Sequence, residues 1–463
     1  MAQTAGKLTR RVGACAVIGM FCVAGTGVAS GQTLNEAIAD GLKNPQVREA
    51  AANRRSIDAE LRRARSFYLP TIDARGATGE EWTNSSFTRN RQRAPGDDGD
   101  AWLRRNEMSL TLRQMVFDGW STDSSVERQK ARVTAAASRV NERSEFIAAD
   151  ISEAYLQVLR DLDLVRFTTE NVAAHERLSG DVRGRVQGGR SGVGDQRQTE
   201  TRLASARADR SDTLRRLEDS KASFIRLVGV PPVSLTQPRL PEALVPKTLE
   251  EAVQRAKDAN PSVRVARLDV LAALAEIDET SAPFWPRLDI ELSGAKNHNI
   301  DGIRGMSNDF TAMLVARWNL YRGGGDVANR TAAIERVNEA RERVLRFDRQ
   351  SEEDVRRAWN GFTLYRQQEI DLSERATGAE QVLQAYSQQF NVGRRELLDL
   401  LDAQNDLFLA RTSLATARQA RLFAGYRLLA LTGDLLRSLD LTPPAEATTP
   451  PAGPLFGNVS LKK

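Results

Sequence analysis

Phe310-Thr311-Ala312-Met313-Leu314-Val315-Ala316-Arg317-Trp318-Asn319-Leu320-Tyr321 alternates with a period of two. Phe310, Ala312, Leu314, Ala316, Trp318 and Leu320 fall on one face, and Thr311, Met313, Val315, Arg317, Asn319 and Tyr321 on the other. That is the pattern of a strand with one apolar and one mixed polar face. Three more stretches read the same way: Leu288, Ile290 and Leu292 alternate with Asp289, Glu291 and Ser293; Met108, Leu110 and Leu112 with Ser109, Thr111 and Arg113; and Ile72 and Ala74 with Asp73 and Arg75. Two hairpins are therefore expected, at 68–117 and 285–321. Tyr68, Phe117, Trp285 and Tyr321 lie at the same end of these strands, as an aromatic girdle would.

Four strands leave two unpaired edges, which hydrocarbon does not tolerate. Single-chain membrane barrels start at about eight strands, so a barrel here needs further copies of the chain. Two copies give eight strands and a filled lumen, and three give twelve and a pore. In such a barrel the six residues from Phe310 to Leu320 on the apolar face meet lipid. A soluble sheet packed on helices competes with this reading. Asp73, Arg75, Arg113, Asp289, Glu291 and Arg317 on the polar faces suit a wet lumen and a solvent face equally.

The strand pairs recur because the chain is duplicated. Thr33-Leu34-x-Glu36-Ala37-Ile38 leading to Asn44-Pro45-x-Val47 matches Thr248-Leu249-x-Glu251-Ala252-Val253 leading to Asn260-Pro261-x-Val263. Val116-Phe117-Asp118-Gly119 matches Leu320-Tyr321-Arg322-Gly323, Asp195 matches Asp399, and Leu227-Val228-Gly229 matches Leu431-Thr432-Gly433. This many ordered matches define a repeat. The first copy spans 32–229 and the second 248–433, joined by a Pro-rich linker at 230–247. The first copy carries an extra loop near 84–105. The Pro-rich composition after 433 predicts a disordered tail at 434–463.

Each copy reads helix, strand, loop, strand, helix, turn, helix. In copy one the opening helix is expected at 34–66. A long one runs from 119 to about 179, interrupted only at Gly180, and a returning one spans about 195–227. Val126, Val133, Val140 and Ile147 recur every seven residues, as do Ile151, Val158, Val165 and Val172, which is coiled-coil spacing. A helix of about 60 residues is about 90 Å long, and the two shorter helices could stack end to end beside it. Copy two repeats this with helices at about 325–388 and 396–431. A soluble coiled-coil scaffold explains the helices but has no use for two amphipathic hairpins.

Residues 1–31 read as a signal peptide. Lys7, Arg10 and Arg11 precede a short apolar stretch from Val12 to Val23, and small residues follow, with cleavage after Ala29 or Gly31. Those three cations supply three of the five net positive charges of the whole chain, so no nucleic-acid partner is indicated. Both cysteines, Cys15 and Cys22, lie in the leader, leaving no thiol for disulfides or metal sites. Beyond it no run approaches the roughly 20 apolar residues of a spanning helix. Entry into a membrane must then be by strands.

This plan resembles the TolC family of outer-membrane efflux and secretion proteins. The resemblance runs from about Thr33 to Gly433. It is most specific at Pro70 and Pro286 ahead of the strands, Phe117-Asp118-Gly119, Tyr321-Arg322-Gly323-Gly324, and Val392-Gly393-Arg394-Arg395-Glu396-Leu397-Leu398-Asp399-Leu400-Leu401-Asp402-Ala403-Gln404. It implies an α+β membrane protein of a Gram-negative outer membrane with a large periplasmic portion. The expected assembly is a homotrimer: a twelve-stranded β-barrel set in outer-membrane lipid and continuous with an α-helical tunnel that closes at its inner end. The implied partners are a periplasmic adaptor (membrane fusion) protein and an inner-membrane transporter of ABC type, which open the passive duct. Ala174-His175-Glu176-Arg177, Asn299-Ile300-Asp301-Gly302, Trp318-Asn319-Leu320-Tyr321-Arg322-Gly323-Gly324 and Arg356-Arg357-Ala358-Trp359-Asn360 look like the branch serving type I secretion of large adhesins. Multidrug efflux is the alternative.

Asp399 and Asp402, spaced i and i+3, share a helix face; in a trimer they form six carboxylates around one axis, attracting cations to a throat. The resemblance implies that they line the periplasmic constriction and that Arg395 and Asp195 form a latch holding it shut. The sequence departs from the best-known member of the family at Phe390, which stands where that member has a tyrosine, and at Gly194, which stands where it has a threonine, so both lose a hydroxyl. The competing reading is that early helical acids simply favour a helix N-terminus. No enzyme and no cofactor is expected. His175 and His298 are the only histidines, one expected on a helix surface and one in a loop. The spacing HExxH is absent, and Gly323-Gly324-Gly325 lacks the Lys-Ser/Thr of a phosphate loop.

Overall fold

A computed structural model describes residues 31–90 and 99–448. Apart from Gly31 the expected signal peptide lies outside the described residues, as does the end of the tail from 449. Four antiparallel strands, β1 (Thr71–Asn84), β2 (Asp100–Phe117), β3 (Arg287–Ile300) and β4 (Ile303–Arg317), form one sheet in the order β1-β2-β3-β4. Its register aligns the alternation across all four strands. Ile72, Leu112, Leu292 and Ala312 form one continuous apolar row, and Ala74, Leu110, Gly294 and Phe310 the next. Between them runs a polar row, Asp73, Thr111, Ser293 and Thr311, on the opposite face. Among the described residues neither face of the sheet packs on a long helix, and within the protomer β1 and β4 form the two edges.

The polar face carries an ion-pair basket at its helical end. The guanidinium of Arg317 donates to Asp289 at 3.1 Å and to Glu291 at 2.6 Å; Arg113 donates to Glu291 at 3.0 Å, and Arg287 to Asp289 at 3.0 Å. The apolar face shows the opposite logic: Phe310, Leu314, Leu110 and Met108 are each more than half exposed in the protomer.

Strand β4 is shorter than the alternation implied. It ends at Arg317, and Trp318 and Leu320 follow in irregular, exposed backbone. The side chain of Asn319 accepts the Tyr321 N–H at 3.3 Å, a turn that competes with the ladder. Left-handed Gly323 and Gly324 then swing the chain into the next helix. In copy one the residues read as a loop mostly lengthen the hairpin instead. β1 and β2 stay paired out to Asn84 and Asp100, followed by the short helix α3 (Ser86–Asn90), and residues 91–98 lie outside the described residues. His298, expected in a loop, is paired in β3 opposite Asn106 and Met306.

Below the sheet run α4 (Ser121–Gln187) and α8 (Gly325–Asn391), 67 residues each, about 100 Å long. Helix α4 passes through Gly180 and Gly184, where a Cβ would meet nothing within 4 Å. The helix expected at 34–66 is two: α1 (Leu34–Gly41) and α2 (Pro45–Ser66). The break has a local cause, Pro45 at the first helical position with Asn44 capping it. Copy two repeats the break between α6 (Leu249–Ala259) and α7 (Pro261–Glu279).

Each capping asparagine also ends another helix. Asn44 accepts the Gln46 N–H and donates to the Leu227 carbonyl at 2.8 Å, at the end of α5 (Val193–Val228). Asn260 does the same with Ser262 and, at 2.9 Å, Leu431, at the end of α9 (Leu397–Leu431). One buried side chain thus satisfies orphan groups at both faces of a helix-on-helix joint. The main hydrophobic core gathers at these joints, around Ile151, Tyr155, Phe224, Tyr426 and Leu428. The linker wraps this level: the Tyr155 hydroxyl accepts the Thr236 N–H at 3.0 Å, and the Tyr426 hydroxyl donates to the Arg239 carbonyl at 3.1 Å.

The tail expected to be disordered from 434 is packed as far as Thr448. Helix α10 (Leu435–Ser438) buries Leu435 and Leu436, and Glu446 pairs with Arg55. Apolar side chains just after Gly433, ahead of the prolines, outweigh the local composition. Glu145 lies beneath α10 and accepts the Leu436 N–H at 3.4 Å. Burial pushes its carboxyl up to about 7, with Asp434 adding repulsion and the α10 amides opposing. A raised folded pKa favours the protonated form in the fold, so the contribution is full below the ordinary carboxylate range and is lost as pH rises through about 7. Protection of the Leu435 and Leu436 amides, taken relative to the intrinsic base-catalysed rate of exchange, is therefore expected to fall between pH 4.5 and 7, and Glu145→Gln to remove that fall. An unchanged slope in that variant rules the carboxyl out as the cause.

Candidate functional site

The two hairpin tips, 188–192 and 392–396, are built alike. In the first the Gly189 and Arg190 N–H groups close onto Val186 and Arg185, and in the second Gly393 and Arg394 close onto Phe390 and Gln389. Gly189 and Gly393 take left-handed φ values of +69° and +75°, which favour glycine. Asp195 and Asp399 occupy the same position, three residues into α5 and α9 after their caps.

Their environments differ. Asp195 accepts the Gly192 N–H at 3.2 Å and the Ser191 hydroxyl at 2.6 Å, so within the protomer it serves its own helix N-terminus. Asp399 receives Arg395 at 3.4 Å. Arg395 also donates to Gln389 at 3.2 Å and lies 3.8 Å from the centre of the Tyr386 ring. Within one chain, therefore, Arg395 and Asp195 do not pair; each is committed to a neighbour on its own tip. Asp399 and Asp402 are both about half exposed.

Among the described residues two ion pairs bridge the hairpins, and neither involves Arg395 or Asp195: Arg411 on α9 reaches Glu170 on α4 at 3.2 Å, and the other lies nearer the tips. Arg202 on α5 reaches Asp402 on α9 at 3.3 Å. Arg202 lies seven residues after Asp195, so the heptad spacing that marked the helices would have placed it on the same face. Beneath it the tips share an apolar cluster of Val182, Phe390, Leu397, Leu400 and Leu401. Arg185 closes it, donating to the Phe390 carbonyl at 3.4 Å with its guanidinium 4.2 Å from the Phe390 ring. His175 is not a surface residue: it is 5 % exposed. It continues the spacing Val172, His175, Ser179, Val182 along the buried seam of α4. Burial, and then the charge of Arg202, hold its imidazole below the ordinary range, which favours its neutral form.

At the other end of the helices, Phe117 and Trp120 stack edge to face at 5.0 Å and Trp120 and Trp285 at 5.2 Å. Trp120 joins this aromatic cluster, and the alternation could not reveal it because it lies in the left-handed corner after β2. Phe310, Ala312, Leu314 and Ala316 lie on the apolar rows of the sheet. Among the described residues no group of His, Cys, Asp and Glu is arranged to hold a metal ion, and no helix is long and apolar enough to cross a membrane.

A family model described as outer membrane efflux protein matches residues 41–230 and again 252–434, once for each copy of the repeat. The chain is 24 % identical over 440 residues to the outer membrane efflux protein BepC of Brucella suis, covering 94 % of this chain and 92 % of that one. It is 23 % identical over 401 residues to the outer membrane protein TolC of Escherichia coli, covering 81 % and 77 %. Its fold is similar to that of the CmeC outer membrane channel of Campylobacter jejuni, with a TM-score of 0.76 at 14 % identity over 87 % of this chain and 86 % of that one.

Proposed function

We propose, from the fact that this chain belongs to the outer membrane efflux protein family, that it is the outer-membrane duct of a type I protein secretion machine. It is a channel subunit, not an enzyme. The observation that carries the reading is the four-stranded sheet, with a continuous apolar face and two free edges, set on a helical hairpin pair with acidic tips. Three copies close those edges into a twelve-stranded barrel whose lumen is the polar face. The six acids Asp399 and Asp402 of the trimer then ring the periplasmic mouth, and the pairs Arg202–Asp402 hold each protomer's hairpins together. A latch between Arg395 and Asp195 belongs to the contact between protomers. A periplasmic adaptor and an ABC-type inner-membrane transporter open the duct and supply the energy, since the chain has no nucleotide-binding loop of its own.

Protein cargo rather than drugs is supported by the segments around His175, Asn299, Trp318 and Arg356 that resemble the adhesin-secreting branch. In a deletion strain a large secreted protein is expected to vanish from the medium and return on complementation. An unchanged set of secreted proteins together with heightened sensitivity to several antibiotics would instead assign the duct to a multidrug pump.

A further inference from the structure

Copy one extends its hairpin beyond anything in copy two. The second hairpin turns at Asp301-Gly302, where Asn299 donates to the Arg104 carbonyl at 3.1 Å. The first continues past that level to a directly opposed pair, Trp82 and Trp102. Both are exposed, at 53 % and 69 %. They lie on the same face as Ile72, Leu110 and Met108, because every second residue of β2 from Trp102 to Leu110 points outward. The outward face is thus continuous from the apolar band to the two indoles.

Their height matters. From Phe117 up to Met108 the outward face is mainly apolar, and at about 3.3 Å per residue and a tilt near 40° that stretch is roughly 23 Å tall. This matches the roughly 25 Å apolar band of outer-membrane barrels. Trp102 is six residues beyond Met108, roughly 15 Å higher by the same conversion. Thr78 opposite Asn106 and Glu80 opposite Arg104 intervene on that face, so these indoles are not the band's own girdle. At that level an outward side chain looks onto the sugar layer of the outer leaflet.

We propose that Trp82 and Trp102 form a stacking platform for the saccharide headgroup of outer-leaflet lipopolysaccharide. The chemistry fits that occupant. The electron-rich face of an indole attracts the weakly positive C–H face of a pyranose ring. Glu80 and Arg104 are opposed but form no ion pair among the described residues, leaving a carboxylate and a guanidinium for hydroxyls and sugar phosphates. On the far side of the tryptophans Asn84 donates to Asp100 at 2.6 Å, fixing the end of the hairpin. The platform depends on the outer-membrane placement and is independent of the cargo, so loss or retention of secretion in a deletion strain does not bear on it.

The test uses the full-length trimer in mild detergent, titrated by native mass spectrometry with three probes: lipopolysaccharide carrying its core sugars, lipid A lacking them, and phosphatidylglycerol. The intact protein is expected to bind the first about tenfold more tightly than lipid A, and Trp82→Ala with Trp102→Ala to lose that preference. Trp82→Phe with Trp102→Phe keeps a stacking face and should retain part of it, and Arg104→Gln should weaken it where sugars are phosphorylated. Unaltered conductance and heat-resistant trimers confirm that the variants assemble. If the intact protein binds lipid A as tightly as the sugar-bearing form, or the double alanine variant keeps the preference, the platform is disproved.

Discussion

Replacing Gly119 with alanine is expected to remove most of the assembled protein from the membrane, whereas Gly189→Ala leaves it nearly unchanged. The two glycines have almost the same backbone conformation, φ of +70° and +69°. A Cβ there costs about 1–2 kcal/mol for left-handed geometry at either site. Their surroundings differ completely. At Gly119 the added carbon meets the Ala282 carbonyl oxygen at 2.6 Å and the Trp285 Cβ at 2.8 Å, while at Gly189 it meets nothing within 4 Å. The Ala282 oxygen belongs to backbone and cannot swing away, so an overpacking cost of about 1–3 kcal/mol is added at Gly119 alone. A total of roughly 2–5 kcal/mol is a large share of the 5–15 kcal/mol that holds a domain folded. The clash also falls where Trp120 packs on Trp285 and the sheet is joined to the helices. Heat-resistant trimer on a gel and thermal melting read the effect. Equal melting temperatures for the two variants would show that the close approach is not restrictive.

Breaking the hairpin bridge should open the duct and alter its ion preference together. Arg202→Ala releases Asp402 and removes the ion pair nearest the tips, leaving Arg411–Glu170 higher up, so single-channel conductance is expected to rise. The pair is about half exposed on both sides, which limits it to about 0.2–1 kcal/mol. Three bridges acting in concert in a trimer still amount to as much as about 3 kcal/mol, on the order of a hundredfold in an open–closed equilibrium. The swap Arg202→Asp with Asp402→Arg should restore part of the closed state. Asp399→Asn with Asp402→Asn removes six carboxylates from the proposed mouth and should weaken cation preference and divalent block in planar bilayers. Arg395→Ala is expected to act mainly through the contact between protomers, since within the chain it releases only Asp399, Gln389 and Tyr386. If Arg202→Ala leaves conductance at the wild-type value, closure rests on the Val182–Phe390–Leu401 cluster and coiled-coil packing.

The period-two alternation at Phe310–Ala316, with its counterparts in three other stretches, determined by itself that the chain forms amphipathic strands, because side chains alternate faces whatever the neighbours do. The heptads around Val126 and Ile151 likewise determined long helices, and the ordered repeats determined a duplicated plan. These are local or periodic properties, legible in one dimension. The joints depended on tertiary structure: Asn44 and Asn260 each end a helix that lies more than 170 residues away. The same holds for the tail, where Leu435 and Leu436 bury against α4 despite a disorder-like composition nearby. At the tips the sequence marked Asp399, Asp402, Arg395 and Asp195 by type and spacing. Which charges meet is set by the packing of α5 and α9 against α4, which brings Arg202 to Asp402 and leaves Asp195 to its own helix. An ion pair needs two side chains within about 4 Å, and only the folded chain decides which two arrive there.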